Sequence, residues 1–207
     1  MLPIRRIAGF FVRFTVVFVL LVAPWPGVHE AYATVYRAGG NLLFGRFGYY
    51  GNVEFRPAAK PTAAHDTEAV LTNWRTEAKY TFVGSSQKGY LPTAFVLALI
   101  LATPIPWYRR WRAVVWGLLL VSVYVVLRLG IFLALAFSGD NGLSVFSLGS
   151  AGRSILDYLH WVIVDSFAGW LILPLPIWIV VSFRRQDWVS ILQGAPASAA
   201  KGRCLEV

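Results

Sequence analysis

Residues 113–137 read Ala113-Val-Val-Trp-Gly-Leu-Leu-Leu-Val-Ser-Val-Tyr-Val-Val-Leu-Arg128-Leu-Gly-Ile-Phe-Leu-Ala-Leu-Ala-Phe137, an apolar run carrying one charge. As a helix rising 1.5 Å per residue it is long enough to cross the ~30 Å hydrocarbon core of a bilayer. Arg128 is the exception within it. An arginine at the centre of such a helix costs roughly 2.5–3.5 kcal/mol on insertion scales, so it faces protein or water and marks a site.

Working outward, the same character recurs. The chain has 207 residues, is 57% hydrophobic and contains nine Trp; its mean hydropathy is +0.59. Soluble domains are roughly 45–50% apolar, so the composition predicts an integral membrane protein. Further apolar runs occupy 7–23, 91–105 and 159–183. The expected fold is therefore mainly α: a polytopic membrane protein of about four transmembrane helices, with a small α+β domain facing outward after the first helix. The corresponding units are residues 1–24, 25–90, 91–183 and a polar tail, 184–207.

Charge placement orients these runs. Arg5 and Arg6 precede the first; Arg109, Arg110 and Arg112 lie between the second and third; Arg184 and Arg185 follow the fourth. The positive-inside rule then puts both termini in the cytoplasm of a prokaryotic inner membrane. The net charge of +9 fits anionic lipid better than nucleic acid, because the basic residues sit beside apolar runs. Arg5-Arg6, the first run and Ala31-Tyr-Ala33 also match a secretory signal; retention as a helix is the reading adopted. Leu205-Glu206-Val207 resembles the start of an engineered linker.

Within 24–89, residues 28–44 predict a helix ended by Gly39-Gly40. Residues 53–56, 69–74 and 80–83 predict short strands, and 56–67 a loop.

Three groups could carry chemistry at the outer membrane face. Arg128 and Asp165 lie roughly 13 and 9 Å deep on adjacent helices, close enough to pair, either as a structural lock or as part of a site. Arg153, Asp157 and His160 share a helical face; a histidine beside a carboxylate suits proton transfer, although interface polarity gives the same pattern. Ser85-Ser86-Gln87-Lys88-Gly89 precedes the second run; either serine is a nucleophile if His160 comes within reach, and otherwise this is a polar loop. The three histidines, His29, His65 and His160, are scattered, and no metal or cofactor is expected. Cys204, the single cysteine, excludes an internal disulfide.

The order of these features resembles the exosortase/archaeosortase family of membrane transpeptidases over roughly 84–181. Ser85-Ser86-Gln-Lys-Gly stands where that family has its cysteine motif. Leu127-Arg128-Leu129 is similar to its arginine helix, without the preceding Asn. Tyr158-Leu-His160 with Gly169-Trp170 is similar to its histidine helix. The resemblance implies Arg128 as stabiliser of a carbonyl or oxyanion and His160 as base. The nucleophile does not carry over: either serine substitutes, the chain is a non-catalytic relative, or a native cysteine has been replaced. The expected function is accordingly exosortase-like protein sorting, catalytic or degenerate, acting on an exported protein. The alternative is a non-enzymatic accessory subunit of a larger membrane complex. Membrane lipid is an expected partner in both.

Overall fold

The computed structural model describes residues 4–62, 65–139, 142–166, 169, 172 and 174–183. The fold is mixed α/β, which corrects the expectation of a mainly α, four-span protein. Among the described residues only α4 (Trp107–Ser138) is by itself long and apolar enough to cross a membrane. The other apolar runs fail for separate reasons. α1 (Ile4–Val22) passes only together with α2 (Trp25–Phe44), and their axes bend by 79° at the break, where Pro24 and Pro26 flank Trp25. α3 (Gln87–Ala102) has 16 residues, about 24 Å of helix.

The fourth run is not one helix. α5 (Ser150–Leu159) is amphipathic and exposed, and it runs into a π-helical turn, α6 (His160–Asp165). The chain leaves the helix at Ser166, in extended conformation. A separate nine-residue helix, α7, spans Pro174–Ser182. Two causes are visible. Pro174 and Pro176 supply no N–H to a preceding helical turn. The backbone at Gly169 folds back so tightly that a Cβ there would lie 2.4 Å from the Ile163 carbonyl oxygen, so only glycine fits. The Tyr124 hydroxyl of α4 donates to the Gly169 carbonyl and holds the break in place.

The sheet is larger than its sequence suggests. Four antiparallel strands stand in the order β1 (Arg46–Phe47), β2 (Gly51–Thr62), β3 (His65–Asn73), β4 (Ala78–Gly84). Strand β2 does not stop at Pro57, which pairs with Thr67 at the start of a register irregularity; much of the expected 56–67 loop is therefore hairpin. Irregular pairing is where a strand tolerates a residue without an N–H. Beyond Gly51–Asn52, no strand among the described residues pairs with the outer edge of β2. The Asn41 side chain of α2 takes that place at Phe55, accepting from its N–H at 2.7 Å and donating to its carbonyl at 3.0 Å. Backbone groups of a half-buried edge need such partners.

Two apolar cores follow. Val53, Phe55, Ala69 and Leu71 of the sheet pack on Leu133 and Phe137, the last turns of α4, with Leu143 closing the side. Phe137 is fully buried and stacks on Phe47, centroids 5.0 Å apart. Val96 and Ile100 of α3 pack on Ala113 and Val121 of α4 and on α7. Gly117 lets α3 and α4 approach: a Cβ there would come within 2.5 Å of Ile100 Cδ1. The long helix α4 thus carries the sheet at its C-terminal end and a helical packing unit at its N-terminal end.

Candidate functional site

The sheet, the start of α3, the middle of α4 and the π-turn enclose a cavity of about 180 Å³. Phe55, Ala69, Phe82 and Val83 line it from the sheet, and Val125, Leu129 and Phe132 from α4. Its charged lining residues are Lys88 and Arg128. The cavity is therefore apolar with a cationic floor, and desolvation strengthens the field of a charge held there.

Arg128 is buried although it lies on a long, largely exposed helix. Its guanidinium donates to the Lys88 carbonyl at 3.3 Å and to the Val164 carbonyl at 2.5 Å. The Lys88 carbonyl has a reason to need it. Four residues after Lys88 comes Pro92, inside α3, which has no N–H to give to that carbonyl. α3 begins at Gln87, so Pro92 falls at its sixth residue, beyond the first turn where proline is tolerated. Val164 lies in the last turn before the backbone becomes extended at Ser166. One side chain on α4 thus serves two neighbouring elements.

Ser85 lines the cavity, and its hydroxyl accepts from the Gln87 N–H at 3.2 Å. Ser86 is fully buried and turned away. Its Oγ donates to Asp66 Oδ2 at 2.7 Å, and its N–H donates to Asp66 Oδ1 at 2.9 Å. Asp66, fully buried on β3, also accepts from Thr67 Oγ1 at 2.8 Å. The buried Arg37 of α2 donates to the Asp66 carbonyl at 3.1 Å and pairs with Glu30 at 3.0 Å. Asp66 thus fastens the central strand to the first turn of α3. The remaining N–H groups of that turn are occupied too: Lys88 by the Ser85 carbonyl, Gly89 and Tyr90 by that of Ser86.

His160 and Asp165 form a pair of their own, Nδ1 to Oδ2 at 3.1 Å, across the π-turn. The His160 ring stands 6.3 Å from that of Phe132, a cavity wall. Arg153 and Asp157 are exposed on α5. The structure therefore brings Ser85 and Arg128 to one cavity, holds Ser86 behind it and sets His160 with Asp165 beyond Phe132. Cys204, like the whole tail from 184 on, lies outside the described residues. No three His, Cys, Asp or Glu side chains gather as metal ligands among the described residues.

No family model matches the chain, and no curated protein or solved structure shows significant similarity to it. The site must be interpreted from its own geometry. Sequence reading found Arg128, Ser85 and Ser86, but missed Asp66 and Arg37, whose polar types in alternating or helical surroundings carry no signal of burial. Lys88 appeared only as part of the serine motif.

Proposed function

We propose that this chain is a non-catalytic, membrane-associated binding subunit that holds an extended peptide segment bearing a carboxylate. Supporting this is the cavity's combination of apolar walls and two cations, with a serine that, among the described residues, makes no hydrogen bond to a histidine, lysine or carboxylate. Acyl transfer by serine needs a positioned base and donors aimed at the developing oxyanion. The hydrogen bonds of Ser85, Ser86 and the α3 first turn are directed elsewhere, to one another and to Asp66.

The route into the cavity is strand-shaped. Strand β4 pairs with β3 on one side and ends the sheet on the other. Phe82 and Val83 are exposed and Gly84 half-buried, and all three line the cavity. An unpaired strand edge is a template for another chain, and addition of a peptide strand gives affinity through main-chain hydrogen bonds. A peptide laid along β4 would bring its end to Lys88 and Arg128. From the family resemblance this reading keeps only the handling of a peptide segment, with no chemical step assigned to the serines. It corresponds to the accessory-subunit alternative.

A photo-crosslinking residue at Phe82, in the chain expressed in its native membrane, tests this directly. The expected product is a protein adduct mapping to one apolar segment with an acidic side chain or C-terminal carboxylate, reduced at least about tenfold by Lys88→Glu, a charge reversal worth more than 1.4 kcal/mol. Adducts confined to lipid, or a protein adduct indifferent to Lys88→Glu, would contradict it.

A further inference from the structure

At the other end of α4, about 28 Å from Arg128 along the helix axis, lies a second cavity, of about 230 Å³. It has two halves. At one end stand Arg109 and Arg112, one turn apart on α4, with Ser182 of α7. At the other stand Trp116, Leu120 and Val181. The third arginine of the cluster, Arg110, is used differently. It turns back to donate to the Thr103 and Ile105 carbonyls, at 3.4 and 3.3 Å, and bracket the α3–α4 turn.

Ser182 is the informative residue. It is 3% exposed, and among the described residues its hydroxyl has no hydrogen-bond partner. A buried hydroxyl left unmatched costs stability, and this one borders a cavity whose other polar lining is two guanidinium groups. Arginines and a hydroxyl converging on one space match the acceptor oxygens of a phosphate. The apolar continuation past Trp116 matches the start of an acyl chain, and the flank of α4 beside it is apolar and exposed at Val115 and Leu119. Exposed Trp107 and Trp111 sit at the same end, as aromatic residues do at a membrane–water boundary.

We propose that this cavity binds one anionic glycerophospholipid, with its phosphate held by Arg109, Arg112 and the Ser182 hydroxyl and its acyl chain running along Trp116, Leu120 and Val181. A soluble phosphate would use the basic half and leave the apolar half unfilled; the lipid uses both.

The test is native mass spectrometry of the full chain, stripped of lipid in detergent and offered phosphatidylglycerol and phosphatidylcholine of identical acyl composition. Phosphatidylglycerol should be retained in preference to phosphatidylcholine. Arg112→Gln should lower that preference roughly fivefold, the effect of one basic side chain at an anionic surface, and R109Q/R112Q should abolish it. Ser182→Ala should weaken retention of both lipids, since both carry the phosphate. Equal retention by the unaltered protein, or a preference indifferent to R109Q/R112Q, would overturn the proposal. Displacement of the lipid by millimolar inorganic phosphate would assign the site to a soluble ligand instead. Helical circular dichroism checks folding; if the double variant fails to fold, Arg112→Gln decides, because Arg112 is exposed.

Discussion

Asp66→Ala is expected to cost about 3–5 kcal/mol of stability, from several buried donors that lose their acceptor together. The carboxylate accepts from the Ser86 N–H, the Ser86 hydroxyl and the Thr67 hydroxyl, in a position with no exposed surface. Alanine removes the acceptor of all three donors, and each buried group left unsatisfied carries a penalty of about 1–3 kcal/mol. The connection lost is the one between the central strand and the first turn of α3, so the cavity wall should loosen with it. Asp66→Asn keeps the shape and one acceptor oxygen and should lose roughly half as much. Thr67→Val, which removes a single donor, should cost about 1 kcal/mol. In a thermal melt followed by circular dichroism, a chain of this length should lose on the order of 10 °C for Asp66→Ala. A loss under about 2 °C would mean that the carboxylate is dispensable to the fold.

Arg128→Met should also be severe, at about 2–4 kcal/mol, because it deprives two carbonyls of a charged donor while keeping the length of the stem. One of those carbonyls is deprived of its helical donor by Pro92, which gives the prediction a specific signature. Pro92→Ala restores an N–H to α3 four residues after Lys88, so Arg128→Met should be less damaging in the Pro92→Ala background. The expected coupling is about 1 kcal/mol, within the range for residues sharing a partner. Simple additivity of the two substitutions, measured by denaturant or thermal unfolding of all four proteins, would contradict the assignment of Arg128 to the Lys88 carbonyl. Arg128→Lys should recover little, since an ammonium point charge does not reproduce the fork that spans two acceptors.

Arg128 stood out as a single charge in an apolar run, and the structure buries it against two main-chain carbonyls. What the sequence concealed was its partners. Asp165 looked like the counter-charge by depth; in the structure it faces His160 across a π-turn, and Arg128 reaches main-chain carbonyls instead. That arrangement depends on the fourth apolar run leaving the helix at Ser166, which hydropathy does not register because the run stays apolar on both sides. The prolines at 174 and 176 were visible, but a window average does not weigh a missing N–H.

The sheet was partly legible. Val53, Phe55, Ala69 and Leu71 alternate as strand residues and do face one core, and the helix of α2 was expected over most of its length. The continuation of β2 through Pro57 was hidden because proline opposes strand in general and is accommodated here by irregular pairing. The count of spans failed for a physical reason as well. Hydropathy measures how apolar a segment is, whereas spanning also needs an unbroken length of helix, which α3 and the 159–183 run lack.

The central claim is that the cavity binds and does not catalyse. The most direct measurement is the intact mass of the full chain, after treatment in native membranes with a fluorophosphonate, which phosphonylates activated serines with loss of fluoride. The account predicts no adduct on Ser85 or Ser86 at concentrations that saturate a serine hydrolase added as control. A stoichiometric adduct on Ser85 that disappears in His160→Ala would contradict it and make His160 a general base.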